Sequence, residues 1–118
     1  MNSNPAIDER ILDVIKSASK YKCIRRIGVI GSYARGEVRE TSDLDLLYDY
    51  DETAVNSTDE ILGYVEEVDM LTKNIINVPK VDFVWYKGVI ESKNMKFKES
   101  VLNDVIWVSG AEIISKIK

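Results

Sequence analysis

Between residues 4 and 20 apolar side chains recur at Ile7, Ile11, Val14, Ile15 and Ala18. Spacings of three and four predict one stripe of an amphipathic helix. Asn4 can cap it, Pro5 suits its first turn, and Asp8 and Glu9 favour the positive end of the helix dipole. The pattern then changes. IRRIGVIG, Ile24 to Gly31, is a short apolar run rich in β-branched residues and predicts a mostly buried strand that Gly31 ends. SYARGE follows as a single helical turn or a tight loop, and VRETS reads as polar and exposed. DLDLLYDY, Asp43 to Tyr50, alternates. Leu44, Leu46, Tyr48 and Tyr50 share one face; Asp43, Asp45, Leu47 and Asp49 share the other, which predicts a strand with one apolar and one mostly acidic face.

After the loop DETAVN, Ser57 and Glu60 have the spacing of a capping box. A long helix is predicted beyond them, with Ile61, Tyr64, Val65, Val68, Leu71 and Ile75 inward and Pro79 marking its end. KVDFVWYKG predicts a third strand from Lys80 to Lys87. A further helix is expected from about Ser92 to Asn103, VIWV is its last turn or a short strand, and AEIISKIK reads as a closing helical segment. The order helix, strand, turn, strand, helix, strand, helix, with no repeat or linker, predicts one α/β or α+β domain over residues 1–118.

Composition narrows the chemistry. The net charge of −4 argues against stable nucleic-acid binding, which wants a basic face. One cysteine allows no internal disulfide, and a reducing compartment is expected. Cys23 itself reads as a small, partly buried residue rather than a nucleophile. Without histidine, a Ser-His-Asp or Cys-His engine and a His-ligated zinc site are excluded. The N-terminus is polar and no apolar run approaches membrane-spanning length, so a cytoplasmic protein without a membrane partner is expected.

The acids then stand out. Asp43 and Asp45 leave the same strand face about 7 Å apart. They lie at the start of their strand, whereas Gly31 and Ser32 lie at the end of the preceding one, so the two meet only if these strands run antiparallel. A helical crossover makes the second and third strands parallel, which brings Asp82 beside Asp43 and Asp45. Two carboxylates 4 Å apart repel by roughly 4 kcal/mol at an effective dielectric near 20. Three outcomes follow: the acids splay into water as a solvated strand face, a cation neutralises them, or one stays protonated. All-oxygen ligands suit Mg²⁺ or Mn²⁺. Gly31 lets the backbone approach a phosphate closely, and Ser32 offers a hydroxyl; the plain alternative is an ordinary turn. A phosphate-holding turn facing an acidic strand describes a place for a nucleoside triphosphate with metal ions, two of which can clamp the attacking and leaving oxygens of phosphoryl transfer. An EF-hand fails because Leu46 and Leu47 follow the acids, an aspartyl phosphatase because Asp43 follows polar RETS, and a Walker-type phosphate loop is missing.

GSYARGEVRETSDLDLL resembles the signature of the polymerase-β-type nucleotidyltransferase superfamily: Gly-Ser, ten residues from Ser32 to Asp43, then Asp-x-Asp. The short length and VDFV are most similar to the minimal nucleotidyltransferases (MNT) of prokaryotes, over nearly the whole chain. The resemblance implies a small mixed β-sheet flanked by helices and nucleotidyl transfer from a nucleoside triphosphate, usually ATP, with two Mg²⁺ ions. It assigns metal binding to Asp43 and Asp45, with Asp82 as the third acid on the acceptor side, and the triphosphate to Gly31 and Ser32. Arg35 lies in the family's ARG stretch, where a phosphate contact and a structural salt bridge both remain open. Many MNT proteins are antitoxins paired with HEPN ribonuclease toxins, and some adenylylate the toxin on tyrosine. The resemblance therefore implies AMP transfer to a hydroxyl of a HEPN-type partner protein. Two other functions stay in view. One is a non-catalytic antitoxin acting by contact, through residues such as Trp107 or Ile114. The other is a small-molecule, aminoglycoside-like nucleotidyltransferase working as a homodimer.

Overall fold

The strand Ile24–Ile30 (β1) lies in the middle of a four-stranded sheet, antiparallel to Leu44–Tyr50 (β2) on one side and to the short Ile106–Trp107 (β4) on the other. Val81–Trp85 (β3) joins the outer edge of β2 in parallel, giving the order β3-β2-β1-β4. The computed structural model describes residues 9–39, 41–75, 78 and 80–108. Asn4, Pro5, Ile7, Asp8, Pro79, Ile114 and the closing segment AEIISKIK lie outside the described residues. The helices are Glu9–Lys16 (α1), Gly31–Arg35 (α2), Ser57–Ile75 (α3), Tyr86–Ile90 (α4) and Met95–Asp104 (α5), and a 3₁₀ turn covers Ser17–Lys20. This is the expected mixed sheet flanked by helices. Among the described residues no helix is long and apolar enough to cross a membrane.

Both sheet faces are covered, and strand alternation sorts the residues between them. On one face Ile27, Val29, Leu44 and Leu46 pack against Ile11, Val14 and Ile15 of α1 and Tyr64 and Val68 of α3. On the other, Ile30 and Leu47 pack against Val89 of α4 and Val101 of α5. The predicted acidic face of β2 is therefore interrupted: Leu47 is wholly buried. Asp49, on the same face, accepts from Arg26 Nε at 3.0 Å. The Arg26 guanidinium in turn lies 3.7 Å from the ring centroid of Trp107, a cation–π stack that ties β4 to β1. Trp107 is half-buried in this second core.

Some local expectations are corrected and one open alternative is resolved. The third strand stops at Trp85 instead of Lys87, because the chain turns into α4 and delivers Val89 to the second core. VIWV resolves as the edge strand β4, since α5 ends at Asp104. The capping box does not close: Ser57 Oγ donates to the Glu52 carbonyl at 3.2 Å, and the Glu60 carboxylate accepts from the Cys23 backbone N–H at 2.9 Å. Glu60 thus braces the approach to β1. Cys23 is buried, and burial followed by the Glu60 hydrogen bond pushes its thiol pKa up to about 11, in keeping with an inert packing residue. At α5 the cap is Asn94, whose Oδ1 accepts from Phe97 N at 3.1 Å, so the helix starts later than the sequence suggests.

Candidate active site

Asp45 occupies the second position of β2 and has a neighbour on each side. Across the antiparallel pair it faces Ile30, the last residue of β1; across the parallel pair it faces Asp82 of β3. The chain leaves β1 at Gly31, which places the turn against Asp45. Gly31 has φ +73°, a left-handed conformation that costs L side chains, and a Cβ built there would collide with Asp45 Oδ2. The backbone calls for glycine at this position, and a side chain there would also push the Asp45 carboxylate aside. The five-residue α2 that follows is anchored by buried Tyr33 and closed by Gly36, also at φ +73°.

Asp43 directly precedes β2. Leu44 N donates to the Lys80 carbonyl at 2.9 Å, which holds the beginnings of β2 and β3 side by side. The preceding loop is closed by Arg39 N donating to Ser42 Oγ at 2.8 Å. Asp43, Asp45 and Asp82 are all half-buried. The charge cluster is felt at Asp45, whose pKa is raised above the usual carboxylate range. Burial is the largest cause, followed by the charges of Asp82 and Asp43 and a hydrogen bond shared with Asp82; Arg35 offsets part of it. Lys80 Nζ stands 3.3 Å from Asp82 Oδ1, a cation already drawn to the third acid. Among the described residues no three acids form a finished ion cage. The fold supplies instead an Asp45–Asp82 carboxyl pair, with Asp43 two residues away along the chain.

Arg35, at the end of α2, forms ion pairs. Its Nε donates to Glu37 Oε1 and its Nη1 to Asp104 Oδ2, each at 2.9 Å. These are the salt bridges that the sequence left open as one of two readings of Arg35. Lys80 and Asp104 are not among the residues that the sequence singles out. Lys80 has a local signal, being two residues from Asp82 on a strand; Asp104 lies 69 positions from Arg35 and gives none. A groove of about 350 Å³ opens at the other end of β2, lined by Arg25, Asp49, Tyr50, Tyr86 and Lys87 among others. It contains none of the three acids, and its two basic residues are already paired, Arg25 with Asp49 and Lys87 with Glu52.

A family model described as a nucleotidyltransferase domain matches residues 9–108. The protein adenylyltransferase MntA of Thermococcus cleftensis is 59% identical over 85 residues, covering 72% of this chain and 75% of that protein. A Methanocaldococcus jannaschii protein provisionally named a protein adenylyltransferase, MJ1379, is 38% identical over 89 residues, covering 75% of this chain and 80% of that one. A crystal structure of a provisionally assigned nucleotidyltransferase from Sulfolobus solfataricus aligns with a TM-score of 0.48 at 19% identity, covering 95% of this chain and 92% of that one.

Two outcomes are expected from this geometry. Gly31→Ala should lower stability by about 1–3 kcal/mol, measured by urea unfolding, because it adds both backbone strain and a clash with Asp45; an unchanged midpoint would contradict the tight turn. The second concerns pH. Folded Asp45 keeps its proton to higher pH than unfolded Asp45. Stability is thus full below the ordinary carboxylate pKa and is lost as pH rises through the raised one. In chelator at neutral pH, Asp45→Asn should unfold at higher urea than wild type, with the gap closing in acid. A wild type as stable as the variant at neutral pH would contradict the charge cluster.

Proposed function

This chain belongs to the nucleotidyltransferase domain family and is a nucleotidyltransferase, and from that premise we propose that it transfers AMP from ATP, with Mg²⁺, to a hydroxyl of a partner protein. The observation that carries this reading is the seating of Asp45 between the Gly31 turn and Asp82. That placement sets a candidate triphosphate cradle directly against a candidate cation site.

The donor set fits a hard divalent ion. Every candidate ligand is a carboxylate oxygen, and the clustered negative charges of Asp43, Asp45 and Asp82 are what a hard divalent cation would offset. In this reading Asp43 and Asp45 hold two Mg²⁺ ions, with Asp82 joining Asp45 on the acceptor side. When bound, the ions would supply neutralisation of the α-phosphate charge and a lowered pKa for the acceptor hydroxyl. Gly31, with no side chain, lets the triphosphate approach the backbone, and Ser32 offers its hydroxyl. The acceptor hydroxyl loses its proton to water, its oxygen bonds to the α-phosphorus as the bond from that phosphorus to the bridging oxygen breaks, and pyrophosphate leaves. The protein's part is to hold the two reactants in line.

The adenylyl group and the protein acceptor are drawn from the names of the relatives, both called protein adenylyltransferases. The resemblance to antitoxins of HEPN toxins makes a HEPN-type protein the partner to try first. The assay incubates this chain with α-labelled ATP, Mg²⁺ and such a partner. Label should appear on the partner, and Asp45→Asn and Asp82→Asn should each reduce it by about a hundredfold or more while circular dichroism is unchanged. Full transfer by both variants would overturn the assignment; toxin neutralisation without any label transfer would favour action by contact.

A further inference from the structure

Arg35 stands one short helix away from Gly31, and its guanidinium pairs with two acids. Glu37 is a near neighbour in the loop, but Asp104 belongs to the far end of α5. Asp104 is the last residue of that helix, whose last turn carries no basic residue. A carboxylate there faces the negative end of the helix dipole, an unfavourable position unless a cation is supplied. Arg35 supplies it. The other partner of this bond is firmly held: Val101, one turn before Asp104, is buried against Ile30 and Leu47, and the chain then runs directly into β4 beside β1. The ion pair therefore fastens the free end of α2 to the same core that seats the end of β1.

Resting on the ATP-donor reading above, we infer that Arg35 is a positioning residue, which fixes the Gly31-Ser32 turn through Asp104 and does not itself hold phosphate. The geometry favours this because Nε and Nη1 each have a carboxylate partner at 2.9 Å, which together fix the plane of the guanidinium. The alternative has an opposite signature, which makes the two separable. If Arg35 held phosphate, removing the competing Asp104 charge would free the guanidinium and strengthen ATP binding. If Asp104 holds Arg35 in place, the same change loosens the turn and weakens binding, even though it removes a negative charge near an anionic ligand.

The test is ATP affinity by isothermal titration with Mg²⁺, on the folded wild type and on Asp104→Asn, Arg35→Ala, Arg35→Lys and the Arg35→Ala/Asp104→Asn double variant. Asp104→Asn is expected to weaken ATP binding by roughly three- to tenfold, the range set by a partly exposed ion pair and by misplacement of a binding group. Arg35→Ala should weaken it at least as much, and adding Asp104→Asn to Arg35→Ala should change it less than about twofold, since the pair acts as a unit. Arg35→Lys, which keeps the charge but not the two-pronged fork, should also bind weakly. Unchanged or tighter binding by Asp104→Asn overturns the inference. Should that variant not fold, wild-type affinity in Arg35→Lys overturns it equally. No ATP binding by wild type sinks the donor reading and this inference together, whereas normal wild-type binding with a neutral Asp104→Asn sinks this inference alone.

Discussion

The structure is organised around a repulsion. Asp45 and Asp82 occupy facing positions of a parallel strand pair, and their carboxyls are close enough to share a hydrogen bond. Water cannot fully screen them, because both are half-buried and one side of Asp45 is closed by Gly31. An isolated domain gains nothing from this placement, and stability alone would select an amide or an apolar residue there. A bound cation would turn that cost into a gain. Lys80 on Asp82 is a partial answer, but an exposed ammonium neutralises one charge weakly.

What holds the acids in place is the burial of everything around them. β2 is packed on both faces, with Leu44 and Leu46 on one side and Leu47 on the other, all fully buried. Its register cannot slip, because a shift of one residue would send Leu44, Leu46 and Leu47 to the wrong layers. The parallel neighbour β3 is fixed at its start by the bond from Leu44 to Lys80, and β1 is braced by Glu60 at one end and by the Trp107 stack on Arg26 within it. The arrangement of side chains at the site is thus decided by core packing on the two sheet faces. Stability built into that packing offsets the charge repulsion at Asp45.

Much of this was legible in the sequence, for a physical reason. Strand alternation and β-branched runs marked β1, β2 and the start of β3; a meeting of Gly31 with the acids needed the first pair antiparallel, and the helical crossover implied a parallel second pair, as the structure has them. The misreadings fall where a side chain's partner is distant. Glu60 has the spacing of a capping residue but reaches Cys23, on another element. Tyr86 and Lys87 follow directly on the apolar run of β3, and local pattern does not separate them from strand; the burial of Val89 makes them the start of a helix. Leu47 belongs to an otherwise acidic face, and only the return of α4 and α5 across the sheet explains it. The Arg35–Asp104 bond was invisible for the same reason.

The central claim is that one divalent ion binds between strands, with Asp45 and Asp82 both contributing. Titration of Mn²⁺ followed by electron paramagnetic resonance measures this directly, without a substrate or partner. The account predicts a bound-ion signal for the wild type, and affinity reduced at least about tenfold by either Asp45→Asn or Asp82→Asn. A wild type that binds no Mn²⁺, or an Asp82→Asn variant that binds it as tightly as wild type, would contradict the claim.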